Sequence, residues 1–186
     1  STVYEYNNGS FIEFVHGTQF SVSATNSGET LVHGVDYTYS SATGILTVLS
    51  EKAITIANAD GVYEADDHIN VAKNVNADIT LAGVYINASS GAAFAIADNS
   101  TGDVTVTLAD GSVNTLKSNH GAGLQKNGAD ESVGMLTIRG TGSLTAQGGA
   151  YAPGIGAEES TSNITIKGGN KHHRKHPDSP AHFKPY

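Results

Sequence analysis

The chain has 186 residues, a formal net charge of −8 at pH 7 and no cysteine, which excludes a disulfide framework, a thiolate metal site and a cysteine nucleophile. Lys171, Arg174, Lys175 and Lys184 against Asp178 make the last sixteen residues +3 and leave the body at −11. That balance argues against nonspecific nucleic-acid binding, which relies on lysine and arginine to displace counterions from phosphates.

Residues 1–50 read as an N-terminal antiparallel β cap or small β unit. Val3-Tyr-Glu-Tyr and Phe11-Ile-Glu-Phe-Val flank Asn8-Gly9, a pair that tolerates the positive φ angles of a tight hairpin turn. Phe20-Ser-Val-Ser, Tyr37-Thr-Tyr and Ile45-Leu-Thr-Val-Leu follow, with Thr43-Gly44 as a turn before the last; each alternates or clusters β-branched and aromatic residues. Seven of the thirteen aromatic residues lie in the first forty positions, whereas sixteen of the 22 glycines lie between 69 and 170, so two kinds of core are expected. A cap would cover the backbone donors and acceptors that a first repeat leaves unpaired. No apolar run approaches the ~20 residues of a membrane span, and because Ser1 opens into strand-like sequence, any export signal is expected to have been removed or to lie outside the chain.

From Ala53-Ile-Thr-Ile onward the pattern changes to strands of three to five residues separated by Asn, Asp, Gly and Ser. Ile79-Thr-Leu, Val104-Thr-Val, Leu136-Thr-Ile and Ile164-Thr-Ile place Thr80, Thr105, Thr137 and Thr165 at intervals of 25, 32 and 28 residues. That spacing predicts a parallel β-solenoid over residues 51–170, with each coil pairing with the next. Within a coil three pieces recur, as in Ile79-Thr-Leu, Val84-Tyr-Ile-Asn-Ala and Ala92-Ala-Phe-Ala-Ile. Strand alternation puts Ile79, Leu81, Val104, Val106, Leu136, Ile138, Ile164 and Ile166 inward and the four threonines outward. The extra length of the 32-residue interval is expected around Lys117-Ser-Asn-His-Gly and Asn127-Gly-Ala-Asp-Glu-Ser. Residues 171–186 hold four of the eight histidines and three of the four prolines and read as a non-repeat tail, with a transition-metal site on its imidazoles as the functional alternative.

The run Leu136-Thr-Ile-Arg-Gly-Thr-Gly-Ser-Leu-Thr-Ala-Gln-Gly-Gly-Ala-Tyr-Ala-Pro-Gly-Ile-Gly156, restarted by Ile164-Thr-Ile-Lys-Gly-Gly169, resembles the repeat of right-handed β-helix surface proteins of Gram-positive, often gut-dwelling bacteria. Some of these are carbohydrate-binding β-helix domains. The resemblance implies an all-β fold, a short right-handed parallel β-helix behind the N-terminal cap, and a secreted or cell-surface, noncatalytic, sugar-associated role. The expected partner is a polysaccharide or another host or cell-wall ligand, with no nucleic acid and no membrane insertion. An open last coil would also allow a homo-oligomer.

Asp60-Gly-Val-Tyr-Glu-Ala-Asp-Asp-His68 gathers four carboxylates, hard oxygen ligands that could hold Ca²⁺ through Glu64, Asp66 and Asp67. The alternative is a solvated corner loop in which Asp and Asn cap turns. Tyr63, Tyr85 and Tyr151 are the only tyrosines of the coil region; on one face they would form a sugar-stacking strip, and otherwise they close the ends of a core. Arg139, the one arginine of the body, points outward beside Thr137 and could contact a uronate. A polysaccharide lyase or hydrolase is the second functional class, since glycoside hydrolysis needs two carboxyl groups about 5–9 Å apart; Asp130-Glu131 and Glu158-Glu159 are adjacent pairs, and adjacent residues usually point in different directions. A structural adhesin spacer is the third.

Overall fold

A computed structural model of the protein describes residues 3–7, 10–14, 18–128, 130–157, 160–168 and 170–174. The short strands form in chain order as β1 (Val3–Asn7), β2 (Ser10–Phe14), β3 (Phe20–Ala24), β4 (Tyr37–Ser40), β5 (Ile45–Val48), β6 (Ile54–Asn58), β7 (His68–Val71), β8 (Ala77–Leu81) and β9 (Tyr85–Ala88). They continue as β10 (Phe94–Ile96), β11 (Val104–Leu108), β12 (Val113–Ser118), β13 (Leu124–Lys126), β14 (Leu136–Gly140), β15 (Ser143–Gln147), β16 (Ile155–Gly156), β17 (Ile164–Ile166) and β18 (Asn170–Arg174). No helix is present among the described residues.

Strands three apart in sequence are neighbours in space. One sheet has the order β17-β14-β11-β8-β6-β3, a second β16-β13-β10-β7-β5-β4 and a third β18-β15-β12-β9, so from β8 onward the chain visits the three sheets in strict rotation. Pairing between successive passes is parallel throughout. Antiparallel pairing is confined to the N-terminal part, where β1 pairs with β2, β3 with β6 and β4 with β5. The β1–β2 register sets Asn7 opposite Ser10, as a two-residue Asn8-Gly9 connection requires; those two residues lie outside the described ones.

Rotation among three sheets turns one buried face of each toward a common core. The rows Ile54–Ile79–Val106–Ile138 and Leu46–Ile69–Phe94–Leu124 run across the first and second sheets, and Ile86–Leu116–Ala146 across the third. All of these residues are buried. Each buried aliphatic contributes roughly 1.5–3 kcal/mol, so these rows outweigh anything the outward threonines supply. Of the eight positions expected inward, six are buried; Ile164 is half-buried and Ile166 is 47% exposed, because β17 is the edge strand of its sheet. Lys126 takes an inward position in the row Val48–Val71–Ile96. Its ammonium donates to Ser162 O at 2.8 Å, and burial pushes its pKa down.

The threonine ladder corrects the sequence reading by two residues. Thr105 pairs with Asp78, not Thr80, and Thr80 lies between Thr55 and Thr107; Thr105, Thr137 and Thr165 are in register as expected. A two-residue slip preserves the inward and outward sets because side chains alternate with period two. The pass from β11 to β14 is five residues longer than the one before it. Leu108 to Thr115 is seven residues where Leu81 to Tyr85 is four, and nine residues separate Lys126 from Leu136 against seven between Ile96 and Val104, so three of the five lie between β11 and β12 and two after β13, at the Asn127 loop. Lys117 belongs to β12 instead. His68, the last residue of the segment read as an acidic loop, opens β7, and the segment assigned to the tail begins within β18, parallel to β15.

Asparagines and glycines fix the corners. Asn114 is fully buried and accepts from Gly83 N–H at 3.0 Å and Val84 N–H at 2.9 Å, while its Nδ2 donates to Ser112 Oγ at 2.9 Å and Ser143 O at 3.2 Å. One amide therefore joins three successive passes. At Gly121 a side chain would meet the Gly91 backbone at 2.5 Å, so glycine is required there for close approach of the neighbouring pass.

Candidate functional site

The outward face of the third sheet carries two polar rows. Alternating burial along β9, β12 and β15 turns Tyr85, Thr115 and Thr145 out as one row and Asn87, Lys117 and Gln147 as the next. A parallel bridge between Ala65 and Ile86 extends both rows by one pass, setting Glu64 beside Tyr85 and Asp66 beside Asn87. In β18, His172 and Arg174 stand at the register positions of Thr145 and Gln147.

Glu64 lies at the edge of this face next to β9 and gathers its polar contacts. Asn87 Nδ2 donates to its Oε1 at 3.0 Å. The Asn87 amide first, then the Tyr85 hydroxyl and the charge of Lys117, hold the Glu64 carboxyl below the usual glutamate range. The same contact with Glu64 raises the Tyr85 phenol. Glu64 is thus an ionised acceptor, and a carboxylate can accept from two hydroxyls at once. Tyr63 meets Tyr85 edge-on, with ring centroids 5.6 Å apart and planes at 67°, an arrangement aromatic pairs favour. The Tyr63 side chain is 85% exposed, leaving a ring available for stacking. Asn87 Oδ1 is buried without a hydrogen-bond partner among the described residues, a condition that costs about 1–3 kcal/mol.

The other residues singled out in the sequence are placed elsewhere. Asp67 points away from Glu64 and Asp66: it is buried, and its Oδ2 accepts from Gln19 N–H at 2.9 Å and the Tyr39 hydroxyl at 3.1 Å. Burial and this contact push the Tyr39 phenol up to about 12. Asp66 is exposed and accepts from Ser89 N–H at 2.8 Å, while its own N–H donates to Gln19 Oε1 at 2.7 Å. The three carboxylates therefore do not converge, and among the described residues no group of three or more His, Asp or Glu could hold a metal ion; the arrangement does not fit a calcium site. Arg139 lies on the first sheet, where its Nε donates to Thr107 Oγ1 at 3.1 Å, away from Tyr85. Glu158-Glu159 and residues 175–186, with His176 and His182, lie outside the described residues.

Tyr151 follows β15 at the corner that leads to β16. It is 69% exposed with φ +65°, a left-handed conformation that costs a residue with a Cβ about 1–2 kcal/mol. The corner is a four-residue turn closed by Ala152 N–H to Gly149 O at 3.2 Å, and Tyr151 occupies its third position, where a positive φ ordinarily selects glycine. Gly148 and Gly149 leave no room for side chains against Ala152 O and Asn119 O, which fixes the turn.

Asn87 and Gln147 are not legible as binding residues in the sequence, and Lys117 reads there as part of a loop. The signal was the repeated pair Tyr85-x-Asn87, Thr115-x-Lys117 and Thr145-x-Gln147, visible only once the three strands are aligned in register.

These features define a class: an all-β protein, mostly parallel in pairing, that displays ionised, amide and aromatic groups in rows on one sheet. Residues 50–172 match the family described as carbohydrate-binding domain-containing protein. The match covers well over half of the chain, and the protein belongs to that family, which supports carbohydrate binding. No curated protein and no solved structure matches the chain. No helix among the described residues is long and apolar enough to cross a membrane.

Proposed function

We propose that the protein is a noncatalytic polysaccharide-binding module, secreted or held at a cell surface, whose ligand lies on the outward face of β9, β12 and β15. In this reading the three sheets are the faces of a short right-handed parallel β-helix, and residues 1–50 cap its first coil. The observation that carries the proposal is the Tyr63–Tyr85–Glu64–Asn87 cluster. It joins an exposed ring to an ionised carboxylate, the groups that stack on a sugar face and bond its hydroxyls. Lys117 and Gln147 extend it with donors on the next two strands. We read the face as noncatalytic because its two carboxylates are tied to separate partners, Glu64 accepting from Asn87 and Asp66 from Ser89 N–H and Oγ.

The test is retention on immobilised xylan, mannan, chitin and pectin for the wild type, Tyr63→Ala and Glu64→Gln. The wild type should be retained on at least one polysaccharide, with both variants about tenfold weaker, a loss of ~1.4 kcal/mol. Retention of all three proteins to the same extent would remove the cluster from the ligand's path. Release of unsaturated or reducing ends during incubation would replace binding with catalysis.

A further inference from the structure

We infer that Tyr151 is a second aromatic contact of the same ligand, so that the site is two-ended and takes a chain of several sugars laid across the strands. The inference rests on the proposed carbohydrate-binding reading and deepens it. Two independent features single out Tyr151. Its side chain is 69% exposed, so no core contact explains a large ring there. Its backbone is left-handed at φ +65° in a turn whose third position favours glycine. Gly149 packs against the preceding pass at Asn119 and Gly148 against the far side of the same corner at Ala152, and together they hold the turn, so the ring is presented by a constrained corner at the expense of a locally better residue. Strain kept where a glycine would remove it is a signature of binding sites.

The two aromatic contacts stand on different passes, Tyr63 beside β9 and Tyr151 at the corner past β15. Tyr63 precedes the bridge between Ala65 and Ile86, and Tyr151 follows β15, so three interstrand steps separate them along the stacking direction. At 4.7–4.9 Å per step this is about 14 Å, beyond the reach of a monosaccharide. Between them the rows offer Lys117 and Gln147 at one strand spacing, a repeat comparable to one unit of an extended glycan. A disaccharide engages the Tyr63 end alone; a longer chain reaches both.

The experiment measures affinity of the wild type, Tyr151→Gly, Tyr151→Trp and Tyr63→Ala for short and long oligosaccharides of xylan, mannan, chitin and pectin, together with melting temperature. Tyr151→Gly should melt about 2–4 °C higher, because the strain is gone. It should also bind long chains about five- to tenfold more weakly while binding short ones like the wild type, and Tyr151→Trp should keep wild-type affinity for long chains. Unchanged affinity of Tyr151→Gly for long chains, with Tyr63→Ala impaired, would overturn the inference and leave the carbohydrate-binding reading standing. Equal losses on short and long chains would overturn the two-ended geometry. Failure of the wild type to bind any of the four series would remove the reading and the inference together.

Discussion

Replacing Asn114 tests how the passes are held in register. Its amide accepts from two backbone N–H groups of the preceding pass and donates to Ser143 O of the following one, while the side chain is 0% exposed. In Asn114→Leu the branched shape is kept, so no cavity is made, but Val84 N–H loses its partner in the interior and the half-buried Ser143 O loses one as well. Each unsatisfied buried group costs about 1–3 kcal/mol; Gly83, being half-buried, recovers part of its loss from water. The expected destabilisation is about 2–4 kcal/mol, or roughly 5–15 °C in melting temperature for a chain of this size. Circular dichroism on heating reads it directly, with Thr115→Ala on the outward face as a control that should stay within ~0.5 kcal/mol of the wild type. An Asn114→Leu protein as stable as the wild type would refute the reasoning, since apolar volume alone would then suffice at that corner.

Three further outcomes follow from the site. Glu64 has its pKa lowered in the folded protein, so its ionised form persists above the lowered value; polysaccharide affinity should stay level as pH falls from 7 through the ordinary glutamate range near ~4.3 and drop only below it, a profile that Glu64→Gln should flatten. Chelation with EDTA should leave both binding and melting temperature unchanged, because the carboxylates of Glu64, Asp66 and Asp67 are committed to separate partners; a fall in either would restore a metal to the account. Arg139→Ala should leave affinity for neutral and uronate polymers at the wild-type value, as Arg139 stands on another sheet beside Thr107.

Much of this architecture is legible in the sequence because strand alternation is a local signal. Ile79, Val106 and Ile138 are recognisably inward from their neighbours alone, and each short phrase beginning at Phe20, Ile45, Val104 or Leu136 forms a strand. Register is not local. Thr80 and Thr105 look equivalent in sequence, yet Thr107 is the partner of Thr80, and no periodicity of two distinguishes those alternatives. Beside that pair of strands the alignment is held by Asp103 N–H donating to Asn76 Oδ1 at 3.0 Å, just ahead of β11 and β8. The site inherits the same limit: Tyr85 could be named from its residue type, but Asn87, Lys117 and Gln147 become a row only after three strands are aligned. Glu64 and Asp67 look like companions in a four-residue acidic run, and alternation sends one out to Asn87 and the other in to Tyr39.

The central claim is that the ligand occupies the outward face of β9, β12 and β15. Titrating ¹⁵N-labelled protein with oligosaccharides of the best-retained polysaccharide and following backbone amide shifts tests it most directly. The account predicts changes concentrated at residues 63–66, 85–89, 115–117 and 145–151. Changes centred instead on Thr80, Thr105, Thr107 and Arg139 would place the ligand on the first sheet and contradict it.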